Sequence, residues 1–340
     1  MKKNSPIINR KLDHLQISIN NDVESRDLTG KNEYSFIHNA LPELNLKDIT
    51  TETKIFNKKI NLPLIISSMT GGVKEAQVIN ERLAEAAQVM NVAMAVGSQR
   101  ALFEHPDILS TYDIRRKAPD ILLFANLGAV QLNYGYTSDH CIKAVELIKA
   151  DGLILHLNPF QELLQPEGDT NFAGLLKKIE RVCKELSVPV VVKEVGWGIS
   201  GVTAKKLIDA GVAAIDVAGF GGTSWAKIEL NRNHNEVTRK IMEPFLNWGI
   251  PTMCSIEMVK SQNPTFPVFA SGGIRDGLDM AKCIALGASV CGIARPLLIA
   301  ANESTQKTIS LIEILQAQLR TCMFLIGAEK INNITKDKLG

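Results

Sequence analysis

The residues with the greatest capacity for chemistry sit at the ends of short apolar runs. Lys193 lies within Val190-Val191-Val192-Lys193-Glu194. A lysine there either enters a polar interior or becomes an expensive misfit among apolar neighbours. Inside, it could form a Schiff base or hold charge on an electron-rich ring. A salt bridge to Glu194 is disfavoured, because adjacent residues of a strand face opposite sides. Two Gly-rich ends, Ser271-Gly272-Gly273-Ile274-Arg275 and Gly292-Ile293-Ala294-Arg295, suit an anion. Glycine lets backbone approach closely, and free amides at a helix start attract negative charge. Glu162 would suit Mg²⁺ beside a phosphate, since that ion is commonly held by one or two carboxylates, phosphate oxygens and water, although taken by itself a solvated loop glutamate is the better reading. His156 and Asn158 are two apart, so they share one strand face with Gln161 and Glu162 close behind. Ser67-Ser68-Met69-Thr70-Gly71-Gly72, Gly97-Ser98-Gln99-Arg100, Asn126 and Gly219-Phe220-Gly221-Gly222-Thr223-Ser224 complete a set of polar run-ends denser than packing requires.

The elements that must position these groups follow an alternating rhythm. Runs at Pro63–Met69, Val92–Gly97, Ile121–Gly128, Gly152–Asn158, Pro189–Val195, Ala214–Gly219, Pro267–Gly273 and Ser289–Ala294 read as strands. Stretches such as Asn80–Val89 and Asp276–Leu286 carry helical apolar spacing. Ala210-Gly211 and Leu286-Gly287-Ala288 look like helix stops. Eight doubly buried strands joined by helices predict a (β/α)8 barrel over residues 63–340, with active residues at the carboxyl ends of its strands. An open doubly wound sheet is the rival, disfavoured by the strand count and the paired Gly-rich loops. Residues 1–62 lack this rhythm and read as an N-terminal extension packed over the barrel, with a short helix opening near Arg10-Lys11 and His14. The longest connection, Thr223–Pro267, is the expected lid.

Composition limits the function classes. The chain has 340 residues, 45% hydrophobic and 22% charged, enough for a large core. Its formal charge of +2 argues against a nucleic-acid partner. The six cysteines form no C-x-x-C pair and read as reduced, mostly buried thiols. With no signal-like start and no membrane-length apolar run, the expectation is a cytoplasmic protein with no membrane partner.

Taken in order, the motifs closely resemble the type 2 isopentenyl-diphosphate isomerases, FMN-dependent (β/α)8 proteins that interconvert isopentenyl and dimethylallyl diphosphate. The matching stretches include Arg10-Lys11…His14-Leu15, Ala40-Leu41-Pro42-Glu43, Met69-Thr70-Gly71-Gly72, Val96-Gly97-Ser98-Gln99-Arg100 and Ala125-Asn126-Leu127-Gly128. They continue through His156-Leu157-Asn158-Pro159-Phe160-Gln161-Glu162, Gln165-Pro166-Glu167-Gly168-Asp169, Val192-Lys193-Glu194-Val195-Gly196 and Gly221-Gly222-Thr223-Ser224-Trp225 to the two Gly-rich loops.

The resemblance implies that Ser68, Met69, Thr70, Ser98, Asn126, Lys193 and Thr223 hold the flavin ring and ribityl chain. It assigns the flavin's phosphate end to Gly273, Ile274, Arg275, Ala294 and Arg295. Arg10, Lys11, Ser98, Gln99 and Arg100 would grip the substrate diphosphate, with His156 and Asn158 as further substrate contacts. Gln161 would lie beside the hydrocarbon, with His156 as a second catalytic group, and Glu162 would bind Mg²⁺. NADPH would serve only to reduce the flavin, and the family forms tetramers or octamers. A proton shift with no net redox change is implied.

The rivals differ at particular residues. α-Hydroxy-acid oxidases need a histidine base after strand six, where Gly219-Phe220-Gly221-Gly222 stands here. Inosine-monophosphate dehydrogenases need a cysteine in a comparable loop, and none lies between Cys183 and Cys254. Dihydrouridine synthases bind tRNA, which fits poorly with the low net charge. A Schiff-base aldolase using Lys193 is the alternative from another class.

Overall fold

The computed structural model describes residues 6–23, 29–232 and 235–340. Eight parallel strands close into a barrel in simple sequential order: β3 (Leu64–Ile66), β4 (Ala93–Ala95), β5 (Leu123–Gly128), β6 (Gly152–Leu157), β7 (Val190–Glu194), β8 (Ala214–Asp216), β9 (Val268–Ser271) and β10 (Val290–Ile293). Each coincides with an expected run. Several are shorter at the carboxyl end, where the chain leaves the ladder to form the loops that carry the polar groups. Strand side chains outside the barrel meet the helices, and those inside meet one another. The inner set, including Ile65, Phe124, Ile154, Val191, Ala214 and Phe269, is a separate apolar cluster. The barrel is therefore a filled core and not a pore.

The outer layer comprises α2 (Lys74–Met90), α3 (Arg100–Glu104), α4 (Ser138–Leu147), α5 (Pro159–Leu164), α6 (Leu175–Glu185), α7 (Gly201–Asp209), α8 (Trp225–Arg232), α9 (Glu236–Met242), α10 (Thr252–Gln262), α11 (Gly277–Ala285), α12 (Arg295–Glu303) and α13 (Thr305–Leu325). Local chemistry marks their ends. Ser200 caps α7 and Asp276 caps α11 through side-chain oxygens that accept backbone N–H groups. Gly211 and Gly287 follow the ends of these helices at positive φ, as the stop signals predicted.

The extension carries more regular structure than the short helix expected of it. It opens with a helix, α1 (Pro6–Asn20), of 15 residues, longer than the expected short one. It ends with a hairpin, β1 (Thr53–Ile55) and β2 (Lys58–Ile60). Phe56 and Asn57 turn this hairpin at positive φ, the geometry of a tight two-residue loop. The turn lacks the usual Asn-Gly pair, which hid it in the sequence. Ile55 and Ile60 join the inner cluster, and Phe56 lies 6.1 Å from the rings of Phe124 and Phe269. The extension thus plugs the amino end of the barrel with its hairpin and crosses the carboxyl end with α1. The expected lid is helical: α8 and α9 precede α10, the barrel's own helix in this repeat. Of the polar run 231–240, residues 233–234 lie outside the described residues.

Candidate active site

Because inward side chains recur every second residue, the layer above the apolar core is set by the strands themselves. Two positions beyond Ile65, Phe124, Ile154, Val191, Ala214 and Phe269 stand Ser67, Asn126, His156, Lys193, Asp216 and Ser271. On β10 the corresponding position is Gly292, where an added Cβ would fall 2.6 Å from Ser67 Oγ. On β4 the position is Gly97, so the ring is broken by two glycines, and all of it but Asp216 lines a cavity of about 240 Å³ at the carboxyl ends of the strands.

The ring is internally ordered. Asn126 Nδ2 donates to Ser68 Oγ at 2.7 Å, which leaves Asn126 Oδ1 to accept from His156 Nδ1 at 2.8 Å. His156 therefore presents Nε2 as an acceptor. Burial, followed by the charges of Lys193, Lys11 and Arg10, pushes its pKa down to about 3. The neutral ring cannot serve as a strong acid. Lys193 Nζ donates to the Glu194 carbonyl at 2.9 Å and to Ser271 Oγ at 3.3 Å, with Asp216 Oδ2 at 3.5 Å. Glu194 faces the other way, its carboxylate accepting the amides of Val195, Gly196 and Trp197. The alternation argument for Lys193 holds.

A second wall comes from α1. Arg10, Lys11 and His14 share a face through helical spacing and line the cavity. Lys11 Nζ donates to the Ser98 carbonyl at 2.9 Å and lies 5.6 Å from the centre of the Tyr112 ring. Desolvation, then repulsion from Arg10, lowers its pKa to about 7. Arg10 donates to Gln165 Oε1 at 2.7 Å, and Arg100 pairs with Asp169 at 2.8 Å. Burial and Arg100 lower the pKa of Arg10. Three cations thus converge on one side of the cavity, two of them less solvated than water would hold them. That arrangement favours a polyanion.

Between the walls lie α5 and α8. The buried Glu162 accepts from Asn158 Nδ2 and from the Asp169 amide, both at 2.7 Å; burial raises its pKa against those bonds. Asn158 Oδ1 is buried without a hydrogen-bond partner. Among the described residues no three His, Cys, Asp or Glu side chains gather into a metal cage. One carboxylate beside one unpaired amide oxygen instead fits a cation that takes its other ligands from substrate and water. Glu229, on α8, accepts from His14 Nε2 at 2.8 Å, Gln165 Nε2 at 2.8 Å and Gln161 Nε2 at 3.2 Å, while Arg232 donates to its other oxygen at 2.8 Å. Desolvation opposes its charge, yet His14, Arg232 and the Gln161 bond outweigh it and hold the carboxyl down to about 2. Trp225 packs edge-on against His14.

The loops after β8 and β9 pack on one another. An added Cβ at Gly222 would meet the Gly273 nitrogen at 2.5 Å, and Gly272 and Gly273 hold φ of 104° and 80°. Side chains are excluded there by space and by conformation. The amide end of α12 opens on the cavity with no side-chain cap at Ala294. Arg295 donates to the Ser18 and Asn21 carbonyls at 3.0 and 3.2 Å, and Arg275 reaches the Gly221 carbonyl at 3.5 Å. Both arginines therefore brace loop and helix in addition to lining the mouth. Ser67 Oγ, at the edge of the floor, is a second buried polar atom without a partner. Unpaired donors and acceptors around a glycine-lined recess fit a flat, heteroatom-rich cofactor carrying a phosphate.

Nearly every expected residue converges here: Ser68, Met69, Thr70, Ser98, Arg100, Asn126, His156, Asn158, Gln161, Glu162, Lys193, Thr223, Gly273, Ile274, Arg275, Ala294, Arg295, Arg10 and Lys11 all line the cavity. Gln99 is the departure. Its side chain is fully buried in the wall, donating to the Ala144 carbonyl and accepting the Asn126 amide, both at 3.0 Å. It braces Asn126 and does not line the cavity. Sequence reasoning gave no role to His14, Gln165, Asp216, Glu229 or Ser67. Only period-two counting from Val191 and Ala214 could have exposed Asp216.

Comparison with known proteins places this cavity in context. A family model described as FMN-dependent dehydrogenase matches residues 167–340. A protein of Nostoc sp. named isopentenyl-diphosphate delta-isomerase is 51% identical over 326 residues, covering 96% of this chain and 93% of the relative. A Rickettsia bellii protein of the same name is 48% identical, covering 98% and 97%. Among solved structures, a flavocytochrome b2 variant aligns over 96% of this chain and 82% of its own, with a TM-score of 0.70 and 18% identity. A mandelate oxidase variant covers 99% and 98%, with a TM-score of 0.65 and 18% identity. Those two likenesses concern the fold alone.

Proposed function

This chain belongs to the isopentenyl-diphosphate delta-isomerases, on an FMN-dependent dehydrogenase fold, and from that premise we propose how its residues divide the work. The observation that carries the reading is the pairing of a polar, glycine-notched floor with a cationic wall from α1. The floor takes the FMN ring, with Ser67, Ser68, Asn126, His156 and Lys193 as its polar contacts and Met69, Thr70 and Thr223 around its edge. The loops at Gly273–Arg275 and Ala294-Arg295 take its phosphate end. The wall takes the substrate diphosphate on Arg10, Lys11 and Arg100, with Ser98 alongside. Glu162 and Asn158 Oδ1 would hold Mg²⁺, which would supply positive charge to the diphosphate.

An isolated alkene is a very weak base, and no strong acid pair stands in a dry pocket here. Reduced FMN, once bound, supplies a group that can exchange a proton with such a carbon without net oxidation. The residues of this chain supply position and charge. Anchoring a charged tail by cations and a metal fixes a short hydrocarbon that offers no handle at its reacting end. Gln161 lies against that hydrocarbon, and Glu229, ionised and accepting from Gln161 Nε2, holds that amide in place. His156 orients rather than acidifies. Trp225, Leu15 and Ile7 line the mouth and exclude water, which strengthens every charge inside.

NADPH is needed only to reduce the flavin before turnover, so its consumption is not coupled to product. We further propose that the protein works in the cytoplasm as a homo-oligomer, a tetramer or octamer; no helix among the described residues is long and apolar enough to cross a membrane. Anaerobic incubation with FMN, NADPH, Mg²⁺ and isopentenyl diphosphate, followed by product identification, tests the assignment. Dimethylallyl diphosphate is expected. A borohydride-trapped adduct on Lys193 with a carbonyl substrate would instead favour the aldolase.

A further inference from the structure

We propose that Asp216 is a positioning residue for the flavin: a buried counter-charge, linked to Lys193 through Ser271, that offsets part of the lysine's charge on the bound ring. The inference rests on the reading that the ring lies over Lys193. Lys193 and Asp216 are register partners on adjacent parallel strands, so both side chains enter the same layer of the barrel. Asp216 is 2% exposed and Lys193 8%. One carboxylate oxygen of Asp216 accepts from Ser271 Oγ at 2.6 Å and from the Ala218 amide at 3.2 Å. The other faces the ammonium alone, at 3.5 Å. Ser271, bonded to both, fixes their separation.

The neighbouring elements leave Asp216 as the counter-charge among the described residues. On β6 the register partner of Lys193 is His156, which is neutral. On β7 itself the Glu194 carboxylate is committed to three amides on the outer side. On β9 Ser271 carries no charge. Lys11 and Arg10, across the cavity, add positive charge and cannot balance the lysine. A buried ammonium without a partner is costly, and a purely structural need for one would be met by any buried carboxylate. The distinguishing feature here is asymmetry: Lys193 lines the cavity while Asp216 lies behind it and is absent from its lining. A ring above the floor therefore meets the positive end first and the negative end more weakly. The reduced, more negative form of that ring is favoured by the lysine and disfavoured to a lesser extent by the aspartate.

The test measures midpoint potentials of FMN bound to the wild-type protein and to Asp216→Asn, Lys193→Met and the double variant, at saturating FMN. One unit charge removed a few ångströms behind Lys193 should raise the preference for reduced over oxidised FMN about tenfold. For a two-electron couple that is a shift of about 30 mV toward positive potential. Lys193→Met should shift it the opposite way, and by more. If Asp216→Asn fails to fold because its ammonium is left unpaired, the double variant removes that charge as well. Its potential should then lie above that of Lys193→Met. In the apoprotein, Asp216→Asn should lower Tm, and adding Lys193→Met should restore it. A Lys193→Met potential equal to wild type would sink the placement of the ring. A Lys193→Met shift, with Asp216→Asn unchanged or lowered, or with the double variant matching Lys193→Met, would overturn the role of Asp216 while leaving the placement standing.

Discussion

Replacing Lys11 with methionine should stabilise the free protein while weakening its grip on diphosphate. Lys11 has a pKa lowered from 10.5 to about 7, chiefly by desolvation and then by Arg10. A fall of that size corresponds to at most about 5 kcal/mol of disfavoured charge in the folded state. The side chain keeps some exposed surface, so about half of that is the working figure. Losing the bond to the Ser98 carbonyl subtracts about 1 kcal/mol, a modest loss because the Tyr112 hydroxyl also donates to that carbonyl. A net gain of about 1 to 2 kcal/mol is expected where the lysine is charged in both states.

The pH dependence has a definite sign. Below pH 7 the ammonium is carried by both the folded and unfolded wild-type chains, and the burial cost is present in full. Between pH 7 and 10.5 the unfolded chain binds the proton and the folded one does not, so wild-type stability rises and the variant's advantage fades. Urea unfolding of both proteins at pH 6, 8 and 10 measures this. Calorimetry with inorganic pyrophosphate should show a loss of about tenfold to a hundredfold in affinity. At pH 8 the wild type should take up a proton on binding, visible as a dependence of the heat on the buffer, and the variant should not. A variant less stable than wild type at pH 6, or a gain that persists unchanged at pH 10, would refute the reasoning.

The other predictions concern the opposite walls and the floor. Glu162→Gln should weaken Mg²⁺-dependent turnover sharply yet leave FMN bound; a purified variant without its flavin absorbance would contradict the metal role. Glu229→Gln should lower kcat by about tenfold or more while sparing pyrophosphate affinity, since Glu229 positions Gln161 and not the anchor. Equal losses in kcat and affinity would show that it only braces α1. Gly273→Ala puts a Cβ 2.4 Å from the Gly221 carbonyl oxygen at a φ of 80°, and should cost FMN binding first, read by flavin release on desalting. Retention of the flavin would separate that loop from its phosphate.

Most of the scaffold was legible because barrel strands are buried on both faces and announce themselves as apolar runs, and because Gly211 and Gly287 end helices by their conformation. Lys193 stood out by its cost among three valines. Asp216 did not, although it belongs to the same layer, because a single acidic residue in Ala214–Gly219 resembles a strand end until register is known. Glu229 was hidden for another reason. Its neighbours Ala226, Ile228 and Leu230 are buried, and only the approach of α1, more than 200 residues away in sequence, adds the donor His14 to Arg232 of its own helix. The resemblance grouped Gln99 with Ser98 and Arg100, whereas the turn into α3 sends its side chain into the wall and away from the cavity lining. The hairpin at Thr53–Ile60 carried its signal in alternation too short to separate from a polar loop.

The central claim, that reduced FMN in the mouth of this barrel allows hydrogen to move between carbons without net redox change, can be tested by one isotope experiment. The protein is loaded with reduced FMN and Mg²⁺ and incubated anaerobically with isopentenyl diphosphate in deuterated water, with NADPH consumption followed alongside product. The account predicts dimethylallyl diphosphate carrying solvent deuterium, formed over many turnovers, while NADPH use stops once the flavin is reduced. One NADPH oxidised per product, or equal turnover by protein stripped of flavin, would contradict it.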